Sequence, residues 1–239
     1  MNLPKHDFIK LYLLQDKVLA AIAEMNTPFY LTGGTALGRF YLNHRYSEDL
    51  DFFVNNDVAY VDLTKRIFKH LNKVFEVDED GVLEEDFSRF YVREKDQFLK
   101  VECINDISYR LGKAKQTPWG SIDSAENILA NKLSALIGRD EPKDLFDIIH
   151  IAWNFSFNWQ DVFIEARKKA HMNELELAER MLSFPIALFE KVNWMKDSID
   201  LGEYQKAKIQ IADDFLLGLD NSLGTGKALL HEALPKNIA

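Results

Sequence analysis

The sequence predicts an α+β fold, with strands and helices mixed in its first half and helices alone in its second. Three observations carry this reading. Short apolar segments bounded by glycine and polar turns stop at about residue 120. Beyond that point apolar residues recur at helical spacing with few interruptions. The 239 residues are 47% apolar and 28% charged, an ordinary globular balance in a chain long enough for a substantial core.

The elements follow in order. Residues 8–25 show helical periodicity and stop before Pro28. Phe29-Tyr30-Leu31 has the composition of a short buried strand, and Gly33-Gly34 breaks it. Thr35 is placed to cap a helix from Ala36 to Asn43. Ser47 to Val54 reads as a second strand and 57–73 as a helix. Strands at 87–93 and 98–104 are joined by the polar turn Glu94-Lys95-Asp96-Gln97. Asp123-Ser124 with Glu126 has the form of a helix start. Helical segments then run over 124–137, 142–153, 159–171, 174–182, 185–196 and 203–219. Gly224-Thr225-Gly226 ends the pattern before a polar tail. Two parts are expected, residues 1–120 and 121–239. The junction at Trp119-Gly120 is not linker-like, so the helical part should pack on the first.

The net charge of -9 argues against binding nucleic acid through bulk electrostatics. Lys65-Arg66, Lys69 and Lys73, and later Arg110, Lys113 and Lys115, read as solvated surface. No apolar run reaches the length of a membrane span, and the first residues, Met1 to Asp7, lack the apolar core of a signal peptide. The single Cys103 excludes an internal disulfide framework and fits a reducing compartment. A cytoplasmic protein with no membrane partner is expected.

Two acidic residues stand out in an apolar segment. On a strand, positions i and i+2 share a face, so Asp49 and Asp51 would project side by side while Leu50 turns inward. Two carboxylates this close repel unless a cation lies between them, and hard oxygen donors suit Mg²⁺ or Mn²⁺. Upstream, a strand runs into Gly33-Gly34 and a helix, an arrangement that admits a phosphate close to the backbone. Alone, either motif is usually surface or a turn. Their order along the chain is much more specific. Glu102, acidic within an apolar strand, is the candidate third metal ligand, with an edge-strand residue paired to Lys100 or a neighbouring cation as the plain alternative and Asp106 as the fallback. Lys132 and Arg139 share one face of a helix, and Asp144 and Asp147 open the next. This is either a helix corner locked by ion pairs or a place where Lys132 reaches a triphosphate, and the two readings are compatible.

On Gly33-Gly34-Thr35-Ala36-Leu37, Arg45 to Phe53, Lys132 with Arg139, and Lys143-Asp144-Leu145-Phe146-Asp147, the chain resembles the AbiEii-type toxin nucleotidyltransferases, a branch of the DNA-polymerase-β-like superfamily. The resemblance implies a mixed sheet flanked by helices. It implies transfer of a nucleoside monophosphate from a nucleoside triphosphate to a hydroxyl, RNA or tRNA among the acceptors, and an antitoxin as partner. Asp49 and Asp51 match the metal-binding pair, Lys132 and Asp147 the later catalytic motif, and Gly33, Gly34 and Thr35 the triphosphate turn. Arg45 and Ser47 match residues that hold the site or the nucleotide. The alternatives are an inactive relative that binds a nucleotide or protein, and a transferase acting on a small molecule or a protein.

Overall fold

The computed structural model describes residues 7–78 and 81–236. The first six residues and the last three of the polar tail lie outside the described residues. Helix α1 (Phe8–Ala23) opens the fold, capped by Asp7, and buries Leu11, Leu14, Val18, Leu19 and Ile22 along one stripe. Strand β1 (Tyr30–Thr32) runs into α2 (Gly33–Thr35), which continues as a π-helix over Ala36–Leu42. Asn43, in the left-handed region, ends it. Then come β2 (Leu50–Asn55), α3 (Tyr60–Leu71), β3 (Glu76–Val77), β4 (Val82–Leu83), β5 (Phe87–Glu94), β6 (Gln97–Asp106), β7 (Lys115–Thr117) and β8 (Gly120–Ile122).

Among the described residues these strands form one eight-stranded sheet of order β3-β5-β6-β2-β1-β8-β7, with β4 also paired to β5. The sheet is mixed. β2 pairs parallel with β6 and β1 parallel with β8, and the remaining pairs are antiparallel. In β2, Leu50, Phe52 and Val54 are buried, while Asp51, Phe53 and Asn55 alternate onto the half-buried face.

The helical part comprises α4 (Ala125–Gly138), α5 (Pro142–Asn154), α6 (Trp159–Ala166), α7 (Glu174–Ser183) and α8 (Leu201–Leu216). Ser124 caps α4, accepting from the Asn127 amide at 3.3 Å. Pro142 starts α5, where its missing N–H costs nothing. Phe146 joins these helices. Its ring lies 4.9 Å from Trp194, 5.3 Å from Tyr204 and 5.4 Å from Phe189.

Several expectations shift. The second strand begins at Leu50, not Ser47, because β6 and β1 offer ladder partners only from Leu50 and Asp51 onward. Asp49 therefore precedes the strand. The segment at 185–196 is a 3-10 helix over Ile186–Lys191. Beyond it the chain is drawn off by residues 45 and 46: the Tyr46 amide donates to Trp194 O at 2.8 Å, and Met195 bridges Arg45. α6 ends at Ala166, and α8 ends ahead of Gly218, whose φ is +66°. β3, β4, β7 and β8 went unread because two or three residues carry no periodicity. β8 also crosses residue 120, so the sheet extends into the part expected to be helical.

Phe146→Ala should destabilise the protein by about 3–5 kcal/mol, because its contacts come from four separate segments. The midpoint of urea unfolding measures this, and an unchanged midpoint would refute the central role of this ring.

Candidate functional site: a cleft between sheet and helices

A cavity of about 500 Å³ opens between the half-buried face of the sheet and α4. Thr32, Gly33, Gly34, Asp51, Phe53 and Glu102 line its sheet side, and Lys132, Ala135, Gly138 and Arg139 line its α4 side. Gly33 sits at φ +68°, and a Cβ there would lie 2.6 Å from Asp51 Oδ2. The turn thus needs glycine for its conformation and for its approach to the carboxylate. At Gly34 a Cβ would run into the Arg45 guanidinium.

Asp51 and Glu102 are register partners on the parallel strands β2 and β6. Desolvation and the charges of Asp49 and Glu102 push the Asp51 carboxyl up to about 7. Such crowding of hard oxygen donors fits a divalent cation at Asp49 and Asp51. Glu102 is otherwise engaged. Arg89 Nε donates to its Oε1 at 2.6 Å, and Lys100 Nζ stands 3.4 Å from its Oε2. Lys100 also reaches Asp49 Oδ2 at 3.0 Å. Among the described residues no three His, Cys, Asp or Glu side chains form a group arranged to hold a metal. The pairing of Glu102 with Lys100 is the plain alternative read from the sequence, although β6 is an interior strand and not an edge.

Behind the turn lies a buried ionic cluster. The Asp147 side chain is 0% exposed and accepts from Arg45 Nε at 2.6 Å and Arg45 Nη2 at 2.8 Å. Lys132 Nζ lies 2.8 Å from the same carboxylate, and so does His44 Nε2. Burial alone would raise the Asp147 carboxyl, but the charges of Arg45 and Lys132 hold it well below the usual range. Burial pushes the His44 pKa down, against the hydrogen bond and charge of Asp147, which raise it. Lys132 also pairs with Asp144 at 2.8 Å, and Arg139 Nε donates to Asp144 at 2.7 Å.

The expected residues thus fall into two sets. Gly33, Gly34, Asp51, Glu102, Lys132 and Arg139 line the cleft. Thr35, Arg45, Ser47 and Asp147 stand behind it and hold it. Thr35 Oγ1 donates to the Asp49 carbonyl. The Ser47 amide donates to Tyr12 Oη at 3.1 Å, and the Ser47 carbonyl accepts from Gln15 Nε2 at 2.9 Å. Asp49 does not line the cavity, and its carboxylate pairs with Lys100. Thr32, Phe53, Asn131 and Lys169 also line the cleft without having been singled out. Phe53 was legible, since it shares a strand face with Asp51. Lys169 was not, because a lysine within the segment read as a helix over 159–171 looks like any solvated helix residue.

No curated relative matches the chain by sequence. The fold is shared with solved structures. JHP933 from Helicobacter pylori superposes with a TM-score of 0.61 at 22% identity, over 88% of this chain and 92% of that one. A putative nucleotidyltransferase from H. pylori gives 0.57 at 22% identity, over 88% and 95%. MenT4, a nucleotidyltransferase toxin from Mycobacterium tuberculosis H37Rv, gives 0.55 at 15% identity, over 90% and 85%. The family described as "Nucleotidyl transferase AbiEii toxin, Type IV TA system" matches residues 17–207. That span contains the glycine turn, the carboxylate strand and the Lys132–Asp147 corner, and on it the chain belongs to the AbiEii nucleotidyl transferase toxin family.

Proposed function

We propose that the chain catalyses metal-dependent transfer of a nucleoside monophosphate from a nucleoside triphosphate to an RNA hydroxyl, in partnership with an antitoxin. The observation that carries this is one cleft with crowded carboxylates on its sheet wall and Lys132 and Arg139 on its helical wall. A triphosphate needs both. Gly33 and Gly34 admit its β- and γ-phosphates close to the backbone, and Lys132 and Arg139 neutralise the charge that builds up as pyrophosphate leaves. Asp49 and Asp51, with Glu102 if it leaves Arg89, would hold Mg²⁺ or Mn²⁺, which supplies Lewis acidity at the α-phosphate. The acceptor oxygen bonds to the α-phosphorus as the bond to the bridging oxygen breaks, and the hydroxyl proton passes to solvent.

Asp147 is a positioning residue. It aims Lys132 into the cleft and keeps the Arg45 guanidinium behind Gly34. An RNA acceptor is favoured over a cationic small molecule by the groups beside Asp49. Lys100 and Arg89 flank the carboxylates, and Tyr91 and Arg93 continue the same face of β5. Arg93 lies 4.5 Å over the Phe98 ring. Cations alternating with aromatic rings suit a single-stranded nucleic acid.

With a labelled nucleoside triphosphate, Mg²⁺ and total RNA, the unaltered chain should transfer label, and Asp51→Asn should bring transfer to background. Equal transfer by that variant would sink the assignment. Asp147→Asn leaves two buried cations short of a partner and should cost about 3–5 kcal/mol, read from urea unfolding. The pH dependence follows from the depressed Asp147 pKa. The unfolded carboxyl, near pKa 3.9, takes a proton before the folded one does. The stabilisation is therefore complete above that value and is lost as pH falls through the folded pKa. Unfolding midpoints from pH 6 down to 2 should drop less steeply in Asp147→Asn, and parallel curves would refute this.

A further inference from the structure

The cleft continues past the groups that a triphosphate needs. Glu102, Ile104 and Asp106 alternate along β6 on the cleft face, which puts Asp106 about 13 Å beyond Glu102 at ~3.3 Å per residue. On the α4 side, Lys132 and Arg139 interact with the charge of Asp51, whereas Asn131 meets Lys169, whose Nζ also meets Asp106. The far end has apolar walls, Phe53 and Ile104 on the sheet and Ile128 on α4. Its end wall is polar. Lys169, its side chain 6% exposed, lies 3.0 Å from Asp106 Oδ2 and donates to Asn131 Oδ1 at 2.6 Å and to Asn127 Oδ1 at 3.1 Å.

We propose that this far end receives the nucleobase of the triphosphate, and that Asn131 and Asp106, held by Lys169, determine which base is accepted. The proposal rests on the nucleotide reading of the cleft given above. Phosphates at Gly33 and Lys132 and an α-phosphate at Asp51 leave the ribose and base nowhere to go in the cavity but toward Asp106. Apolar side chains on two sides suit the faces of a flat ring, and polar groups at the end suit its hydrogen-bonding edge. Lys169 spends its three protons on Asn127, Asn131 and Asp106. It therefore acts through its neighbours as a positioning residue. Because the Asn131 carbonyl faces Lys169, the group Asn131 offers the cleft is its amide N–H donor. Asp106 keeps Oδ1 as an acceptor. A fixed donor beside a fixed acceptor discriminates between base edges, because a mismatched edge leaves one of them unpaired.

Calorimetry on the full chain with Mg²⁺, using ATP, GTP, CTP, UTP and inorganic tripolyphosphate as probes, tests the assignment. The unaltered chain should rank the four nucleotides and bind the best of them more tightly than tripolyphosphate. Asn131→Asp turns the offered donor into an acceptor at constant shape, and Asp106→Asn does the reverse. Each should change the affinity ratio between best and worst base by about tenfold and leave tripolyphosphate unaffected. Phe53→Leu, which keeps the wall apolar, should weaken all four nucleotides and not tripolyphosphate. Affinity ratios unchanged in folded Asn131→Asp and Asp106→Asn would overturn the base site, as would Phe53→Leu weakening tripolyphosphate equally. Tripolyphosphate binding as tight as that of every nucleotide would overturn it too, while leaving the phosphate end standing. Failure of the unaltered chain to bind any of the five would overturn the reading of the cleft itself.

Discussion

Asp147 is a carboxylate with no access to solvent, and the site around it is arranged to make that tolerable. Burying one unpaired charge would cost several kcal/mol. Here Arg45 closes on it with two nitrogens, Lys132 adds a second charge and His44 a further bond. These groups come from three segments that share no local sequence: the loop ahead of β2, helix α4 and helix α5. Once they meet, much else follows. Arg45 comes to rest against Gly34, so no side chain fits there. The loop that carries Arg45 leads directly into Asp49 and Asp51. Lys132, shared with Asp144, brings Arg139 to the same wall.

The two parts of the chain thus contribute opposite charge. The sheet supplies Asp51 and Glu102, with Asp49 just ahead of β2, and α4 with its C-cap supplies Lys132 and Arg139. The nucleotide and metal ion proposed above would enter such a cleft with the phosphates toward the helix and the cation toward the sheet. The parallel pairing of β2 with β6 matters because it places Asp51 beside Glu102 and Phe53 beside Ile104. Side chains of paired residues point the same way, so one register yields both a carboxylate row and an apolar row, spaced along a single groove.

Lys100 and Arg89 compensate the crowded carboxylates. Each is a flexible cation within reach of a carboxylate that would otherwise face its neighbours uncompensated. Glu102 is clasped from two sides, whereas the Asp51 carboxyl is only partly offset by Lys100 and Lys132, so Asp51 is the more available of the two for the proposed metal.

The sequence alone determined the division into a strand-bearing half and a helical half, the strand–glycine turn–helix order, and the pairing of acidic strand with cationic helix. These are local matters of periodicity and residue chemistry, and family resemblance sharpened them. It placed Asp51, the glycine turn, Lys132 and Arg139 at one site, and they do line one cleft. It did not separate the residues that line that cleft from those that hold it. Arg45, Ser47 and Asp147 look like any polar residues until burial is known, and burial is set by what packs over them. Nor did it reveal the strands of two or three residues, which exist because a neighbour offers them a ladder. Asp49 slipped out of its strand for the same reason, its segment lacking a partner. Lys169 is the sharpest case. Only tertiary structure carries a lysine from beyond α6 into a groove lined by β6 and α4, where three oxygen acceptors compensate its burial.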